Sequence, residues 1–289
     1  MKAYLDCYPC FLTQTLKTAR FVTSDDKTIR QILDEVGLAL AGRSFDTPPP
    51  AISQAVYRII AARLGVQDPY REIKQACIGQ ALSFYPRLKR LIAESPDRLW
   101  TAVKLAIAGN VIDFGANANF DLKTDIDQIL AQDPAVNHYP EFREMLDKAG
   151  RILYLADNAG ETVFDRLLIE ELQKPVIYAV RQSPIINDAL QADAVQSGIG
   201  EVARIISSGA GTPGTVLAFC SPEFLETYRS ADLIISKGQG NFEALSDEDR
   251  PIFFLLKIKC GTHHLSNWSG GGKTHHGAVI SPVLTASLP

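Results

Sequence analysis

Between Tyr4 and about Ala108 the apolar residues recur at intervals of three and four, as in Ile29, Ile32, Leu33 and Val36 and again in Ile52, Val56, Ile59, Ile60 and Leu64. That spacing lays them along one face of a helix. The pattern is interrupted at Ser24-Asp25-Asp26, Pro48-Pro49-Pro50, Asp68-Pro69 and Ser95-Pro96, where Ser and Asp cap a new helix and Pro suits its first turn. From Gly150 onward the period changes. Short apolar runs rich in β-branched residues, 152–155, 176–180, 216–219, 233–235 and 252–258, mostly alternate with the helix-like segments 163–172, 189–196, 222–228 and 242–245. Runs without polar alternation belong to strands covered on both faces, which is the signature of a parallel sheet flanked by helices.

The predicted fold class is therefore α/β: a helical N-terminal region (1–149) packed on a doubly wound, mostly parallel Rossmann-like sheet (150–260). Residues 261–289 are polar and glycine-rich and are expected to stand apart as an atypical, disordered tail.

Composition narrows the function classes. With 46% hydrophobic residues in 289, the chain has enough apolar material for one large core or two modest ones. Its 29 basic and 33 acidic residues create no positive field, and no Lys/Arg stripe is interleaved with aromatics, so nucleic acid is excluded as an expected partner. The longest apolar stretches fall far short of the roughly 20 residues that span a bilayer, and residues 1–20 carry Asp6, Lys17 and Arg20 among their apolar positions, unlike a signal peptide. Five cysteines, an odd number, fit a reducing cytoplasm better than a disulfide framework.

In an open parallel sheet, ligands bind beyond the carboxyl ends of the strands. Asp157-Asn158-Ala159-Gly160-Glu161 follows the first run, Asn187-Asp188 the second, and Lys237-Gly238-Gln239-Gly240-Asn241 the one beginning at Leu233. Two carboxylates and an amide carbonyl form a hard oxygen set suited to Mg²⁺ or Mn²⁺. A lysine on a glycine-flanked turn ahead of a helix is the expected phosphate cradle. Taken singly, each feature has a plainer explanation: Asp157 and Asn158 turn the chain, Asp188 caps a helix, and Lys237 is solvated. Their coincidence at successive strand ends favours a site.

These residues, together with Gly109-Asn110-Val111-Ile112-Asp113-Phe114 and Ile186, appear in the order of motifs found in the damage-control phosphatases, formerly domain of unknown function 89. The chain resembles that family from Met1 to about Cys260, and Cys7-Tyr8-Pro9-Cys10 is similar to its prokaryotic, cysteine-bearing branch. The resemblance implies a divalent-metal phosphatase of small phosphorylated metabolites, either sugar phosphates or damaged phosphometabolites, with Co²⁺ or Ni²⁺ as further metals. It maps the metal ligands onto Asp157, Asn158 and Asp188. Substrate binding falls to Asn110, Asp113 and Lys237, with Glu161 and Asn187 nearby. Asp157 and Lys237 are the expected catalytic residues: the first on the metal, the second offsetting charge on the phosphoryl oxygens.

The alternatives are a nucleotide or sugar-phosphate binding module without turnover, and a methyltransferase, which the missing Gly-x-Gly loop after the first strand disfavours. Cys7 and Cys10 share a helix face but lack two further ligands for a thiolate site, so a structural role is expected. Gly270-Gly271-Gly272-Lys273-Thr274 is not a P-loop, because Asn267 stands where the Walker pattern needs glycine. His263-His264 and His275-His276 match no compact metal spacing.

Overall fold

A computed structural model describes residues 1–109, 130, 131, 134 and 136–257, with the backbone of 278–281. Five helices, α1 (Cys7–Val22), α2 (Asp26–Leu40), α3 (Pro49–Leu64), α4 (Arg71–Glu94) and α5 (Arg98–Gly109), fill the first part of the chain, and α6 (Tyr139–Lys148) precedes the sheet. Their ends follow the sequence signals. Asp25 accepts hydrogen bonds from the backbone N–H groups of Lys27 and Thr28 at the start of α2, and prolines occupy the first turn of α3.

The second part alternates β1 (Ile152–Leu155), α7 (Thr162–Leu172), β2 (Val176–Val180), α8 (Gln191–Gln196), β3 (Arg204–Ser207), α9 (Pro222–Ser230), β4 (Leu233–Lys237), α10 (Gly238–Leu245) and β5 (Ile252–Lys257). The sheet order is β3-β2-β1-β4-β5-β6, with every adjacent pair parallel. Strand β6 (Ala278–Ser281) falls inside the stretch expected to be a disordered tail and runs parallel to β5 at the sheet edge. The remainder of 261–289, with both His pairs and the Gly270–Thr274 run, lies outside the described residues, as do Asn110 and Asp113.

One strand assignment is corrected. Residues 216–219, expected as the third strand, form a one-turn 3₁₀ helix, Leu217–Phe219. The third strand is Arg204–Ser207, whose side chains are half-buried or exposed because only β2 flanks it. A short apolar run can pack as a turn instead of a strand, and here Leu217 packs against the sheet-face core while Ala218 and Phe219 are exposed.

Side chains alternate across the sheet, as the pleat requires. Tyr154, Val176, Tyr178, Ile235, Phe253 and Leu255 face one core, shared with α4, α5, α6 and α7. Leu153, Leu155, Ile234, Phe254 and Leu256 face another, closed by Phe224 and Tyr228 of α9 and Phe242 and Leu245 of α10. Helices α1 to α3 have a core of their own, built on Phe11, Ile32, Val36, Val56 and Ile60. The change of pattern at 149–150 is real, but the packing does not divide there, since α4 to α6 belong to the core of the sheet. β1 and β4 are adjacent strands from which the chain winds in opposite directions, so the crevice at their carboxyl ends is the topological switch point.

Candidate active site

The loops leaving β1 and β2 are zipped together. Asn158 and Asp188 form an antiparallel bridge, the Ala159 N–H donates to the Asn187 carbonyl at 2.8 Å, and the Ala189 N–H donates to the Asp157 carbonyl at 2.8 Å. Asp188 is thus brought beside the consecutive pair Asp157 and Asn158 at the switch point. Just before them, Ile186 takes a left-handed φ of 44°, costly for a β-branched residue by about 1–3 kcal/mol. Strain of that kind persists where the surroundings over-determine the backbone, and here it shapes the turn that delivers Asn187 and Asp188.

Asp157 and Asp188 are both buried, at 9% and 3% exposure. Arg181, from the end of β2, donates from Nε to Asp188 Oδ2 at 2.8 Å. Its other nitrogens reach Thr215 Oγ1 at 3.0 Å and Asn241 Oδ1 at 3.1 Å. Burial pushes the Asp188 carboxyl up to about 6 despite that guanidinium. Asn241 in turn donates to the carbonyls of Ala156 and Lys237, so one amide ties β1, β4 and the loop at Thr215 around the site.

The Asn158 amide donates both hydrogens to carboxylates: Asp157 Oδ2 at 3.1 Å and Glu161 Oε1 at 2.5 Å. Glu161 accepts on its other oxygen from Lys237 Nζ at 2.8 Å, and Lys237 also donates to Asp165 Oδ1 at 2.7 Å. Asp165, on α7, further accepts from the hydroxyls of Tyr154 and Tyr178 at 2.7 and 2.6 Å. Burial alone would lower the Lys237 pKa, but Asp165 and Glu161 outweigh it and hold the ammonium above its ordinary range. Burial raises Asp165, with Lys237 opposing.

Lys237 differs from the expected open phosphate cradle. Its side chain has no exposed surface, and two of its three N–H donors are committed to carboxylates. The glycine turn beside it serves close packing. Gly238 has a φ of +77°, and a Cβ there would stand 1.9 Å from Asp157 Oδ2; a Cβ on Gly240 would stand 1.8 Å from the Pro213 carbonyl. Asp165 and Arg181 escape the sequence reading, and Asn241 enters it only as the last residue of the glycine-turn motif, without a role of its own. Asp165 was nevertheless signalled as an acid on the apolar face of α7, opposite two tyrosines in register on buried strands.

Four buried carboxylates, Asp157, Glu161, Asp165 and Asp188, are thus linked to two buried cations, Lys237 and Arg181. Among the described residues no three His, Cys, Asp or Glu side chains converge on one point. Two carboxylates and an amide oxygen are nonetheless a set that fits a hard ion such as Mg²⁺, which keeps several waters and needs only one or two carboxylates. Cys7 and Cys10 lie elsewhere, in the first turn of α1. Cys7 packs against the core of α1 to α3 and Cys10 is exposed.

A model of the damage-control phosphatase ARMT1-like domain matches residues 3–264. The chain is 35% identical over 267 residues to a damage-control phosphatase of Pyrococcus horikoshii, covering 90% of this chain and 92% of that protein. It is 32% identical over 264 residues to a damage-control phosphatase of Archaeoglobus fulgidus, covering 88% and 91% respectively. A crystal structure of a DUF89 family protein from P. horikoshii superposes with a TM-score of 0.87 at 32% identity, over 97% of this chain and 98% of that one. The chain belongs to the damage-control phosphatase ARMT1-like family.

Proposed function

We propose that this protein is a divalent-metal-dependent phosphatase that hydrolyses small phosphorylated metabolites, sugar phosphates or damaged phosphometabolites, at the crevice between β1 and β4. The observation carrying this reading is the buried cluster at that switch point, in which the bridged loops hold Asp157, Asn158 and Asp188 side by side, with Arg181 on Asp188 and Lys237 on Glu161. The names of the P. horikoshii and A. fulgidus relatives support the phosphatase assignment.

Asp157, Asn158 and Asp188 are the residues that would hold the cation. The chemistry supplied by a divalent ion held there would be charge neutralisation at phosphoryl oxygens and a lowered pKa for an attacking water. Arg181 fixes Asp188 in place, and the bridge between Asn158 and Asp188 keeps the two loops from separating. Lys237 acts from behind Glu161, as a permanent positive charge in a water-poor interior where its field against the developing negative charge is least screened. Glu161, Asn187, Asn110 and Asp113 remain assigned to the substrate by motif.

Release of phosphate from p-nitrophenyl phosphate, measured with Mg²⁺, Mn²⁺, Co²⁺ and Ni²⁺ in turn, tests the reading. The expected result is metal-stimulated turnover in the wild type and a loss of about 10³-fold or more in Asp157→Ala, beyond the effect of removing one electrostatic donor. Turnover indifferent to metal, or equal in Asp157→Ala, overturns it. Saturable binding of a sugar phosphate without turnover would instead identify a binding module.

A further inference from the structure

Asn158 is half-buried and its amide group has two possible orientations, only one of which presents oxygen to a cation. Both amide hydrogens are taken, by Asp157 Oδ2 and Glu161 Oε1. The reversed amide would set its oxygen against two carboxylate oxygens, so hydrogen-bond chemistry admits one orientation. Among the described residues the Asn158 carbonyl oxygen accepts no hydrogen bond, and it points away from both acceptors. What holds Asp157 and Glu161 therefore decides where that oxygen points, and Glu161 is the nearer acceptor.

Glu161 is held by Lys237, and Lys237 by Asp165, whose two oxygens accept from Tyr154 and Tyr178. Every member from the tyrosines to Glu161 is buried, with Lys237 and Asp165 at 0% exposure, so water cannot substitute for a lost partner. Tyr154 and Tyr178 stand opposite each other in the register of β1 and β2, and Asp165 lies on the helix packed over them. The sheet thus positions the far end of a line that finishes at Asn158. Nothing in the rest of the core requires this arrangement, since Phe at both tyrosine positions and an apolar residue at 165 would fill the same space.

We infer that Tyr154, Tyr178, Asp165 and Lys237 form a buried orienting relay that acts through Glu161 to fix the Asn158 amide with its carbonyl toward the bound cation. Asp165 and the two tyrosines are positioning residues: they touch neither cation nor substrate. The inference rests on the metal-site reading above and adds that the affinity of the site is set from inside the sheet. Partners behind a metal ligand commonly change affinity by about 10- to 100-fold when removed.

The test is isothermal titration of the full chain with Mn²⁺ alone, so no turnover is needed. Asp165→Asn is expected to bind Mn²⁺ about 10- to 100-fold more weakly than wild type. The double variant Asp165→Asn/Lys237→Met should fall no further than the weaker of its single variants, because both interrupt one line. Should Asp165→Asn fail to fold, Tyr154→Phe/Tyr178→Phe takes its place. It leaves the Asp165–Lys237 ion pair intact and should weaken Mn²⁺ binding by about 10-fold, the low end of such effects. A variant that merely loosens the core lowers the melting temperature without moving the affinity of the folded protein. Wild-type affinity in a folded relay variant, alongside lost binding in Asp157→Ala, overturns the relay and leaves the site standing. Mn²⁺ binding unaltered by Asp157→Ala, or absent from the wild type, overturns the site and the relay with it.

Discussion

Two lysines, Lys74 and Lys237, are sealed in the interior between pairs of carboxylates, and the contrast between them separates what holds the molecule together from what equips its site. Lys74, on α4, reaches Asp68 at 2.8 Å and Asp193 at 3.1 Å. Asp193 also accepts from the Leu190 N–H at the start of α8, so this cluster ties the helical region to the sheet's second crossover. Its two acids keep 14% and 10% of their side-chain surface, whereas those around Lys237 keep 2% and none. Solvent can therefore reach the acids of one cluster and not of the other. The hydrogen bonds around Lys74 end in a helix start and only its charge reaches Asp188, as the last of the influences on that carboxyl, while the hydrogen bonds around Lys237 end at Asn158 and Asp157. Burial of an ion pair is thus a poor guide to its role; what the pair leads to is a better one.

The contrast breaks most sharply in paired substitutions. Lys237→Met leaves Glu161 and Asp165 without a countercharge in a dry interior, and is expected to cost about 3–5 kcal/mol in denaturant unfolding. Phosphatase turnover should fall by about 10²- to 10³-fold in the protein that remains folded. Lys74→Met is expected to cost about 2 kcal/mol, because its acids can turn toward water, and to leave turnover at saturating metal within about threefold. Equal losses of turnover in the two variants would erase the distinction drawn here.

A smaller effect comes from Asp188, whose carboxyl sits near 6 because it is buried. Cation binding needs the ionised form, so Mn²⁺ affinity should weaken by about tenfold between pH 7.5 and pH 5. The metal-free protein responds with the opposite sign. A folded-state pKa raised above the unfolded value contributes stability that is complete below about pH 3.9 and is lost as pH rises through 6. Thermal unfolding across pH 4–7, with and without Mn²⁺, should show the metal-dependent increment growing as the pH increases. The smallest effect belongs to the third region: Cys7→Ser/Cys10→Ser should leave turnover within a few fold, since a hard-oxygen site uses no thiolate. Complete loss of activity in that folded variant would move the cysteines into the chemistry.

Strands β1, β2, β4 and β5 were legible because they are buried on both faces and their sequences are uninterrupted apolar runs. Strand β3 was not, because an edge position leaves Arg204 and Ser207 polar and only Ile205 and Ile206 apolar. The apolar run at 216–219 misled for the complementary reason, packing as a turn over a sheet face. Of the candidate site, Asp157, Asn158 and Asp188 declare themselves by standing at strand ends, which topology makes binding positions. The groups that orient them are hidden by context. Arg181 reads as an ordinary residue after a strand, and Asn241 as the last residue of the glycine-turn motif; the hydrogen bond between them spans 60 residues and that from Asn241 to the Ala156 carbonyl 85, so neither leaves a local trace. Burial of Lys237 was equally invisible, since a lysine after an apolar strand looks solvated until its two acids are located in space.

Gly238 carries a consequence for inheritance. A Cβ at that position would overlap the Asp157 carboxylate, and the backbone there is already left-handed. Every single-nucleotide missense change in a glycine codon introduces a side chain with a Cβ. No one-step mutational path therefore leads away from glycine at 238 without displacing Asp157, and codon 238 should tolerate as little variation as the codon of the acid it adjoins. In a population of such genes the two positions would be lost together or kept together, although 238 contributes no reacting atom.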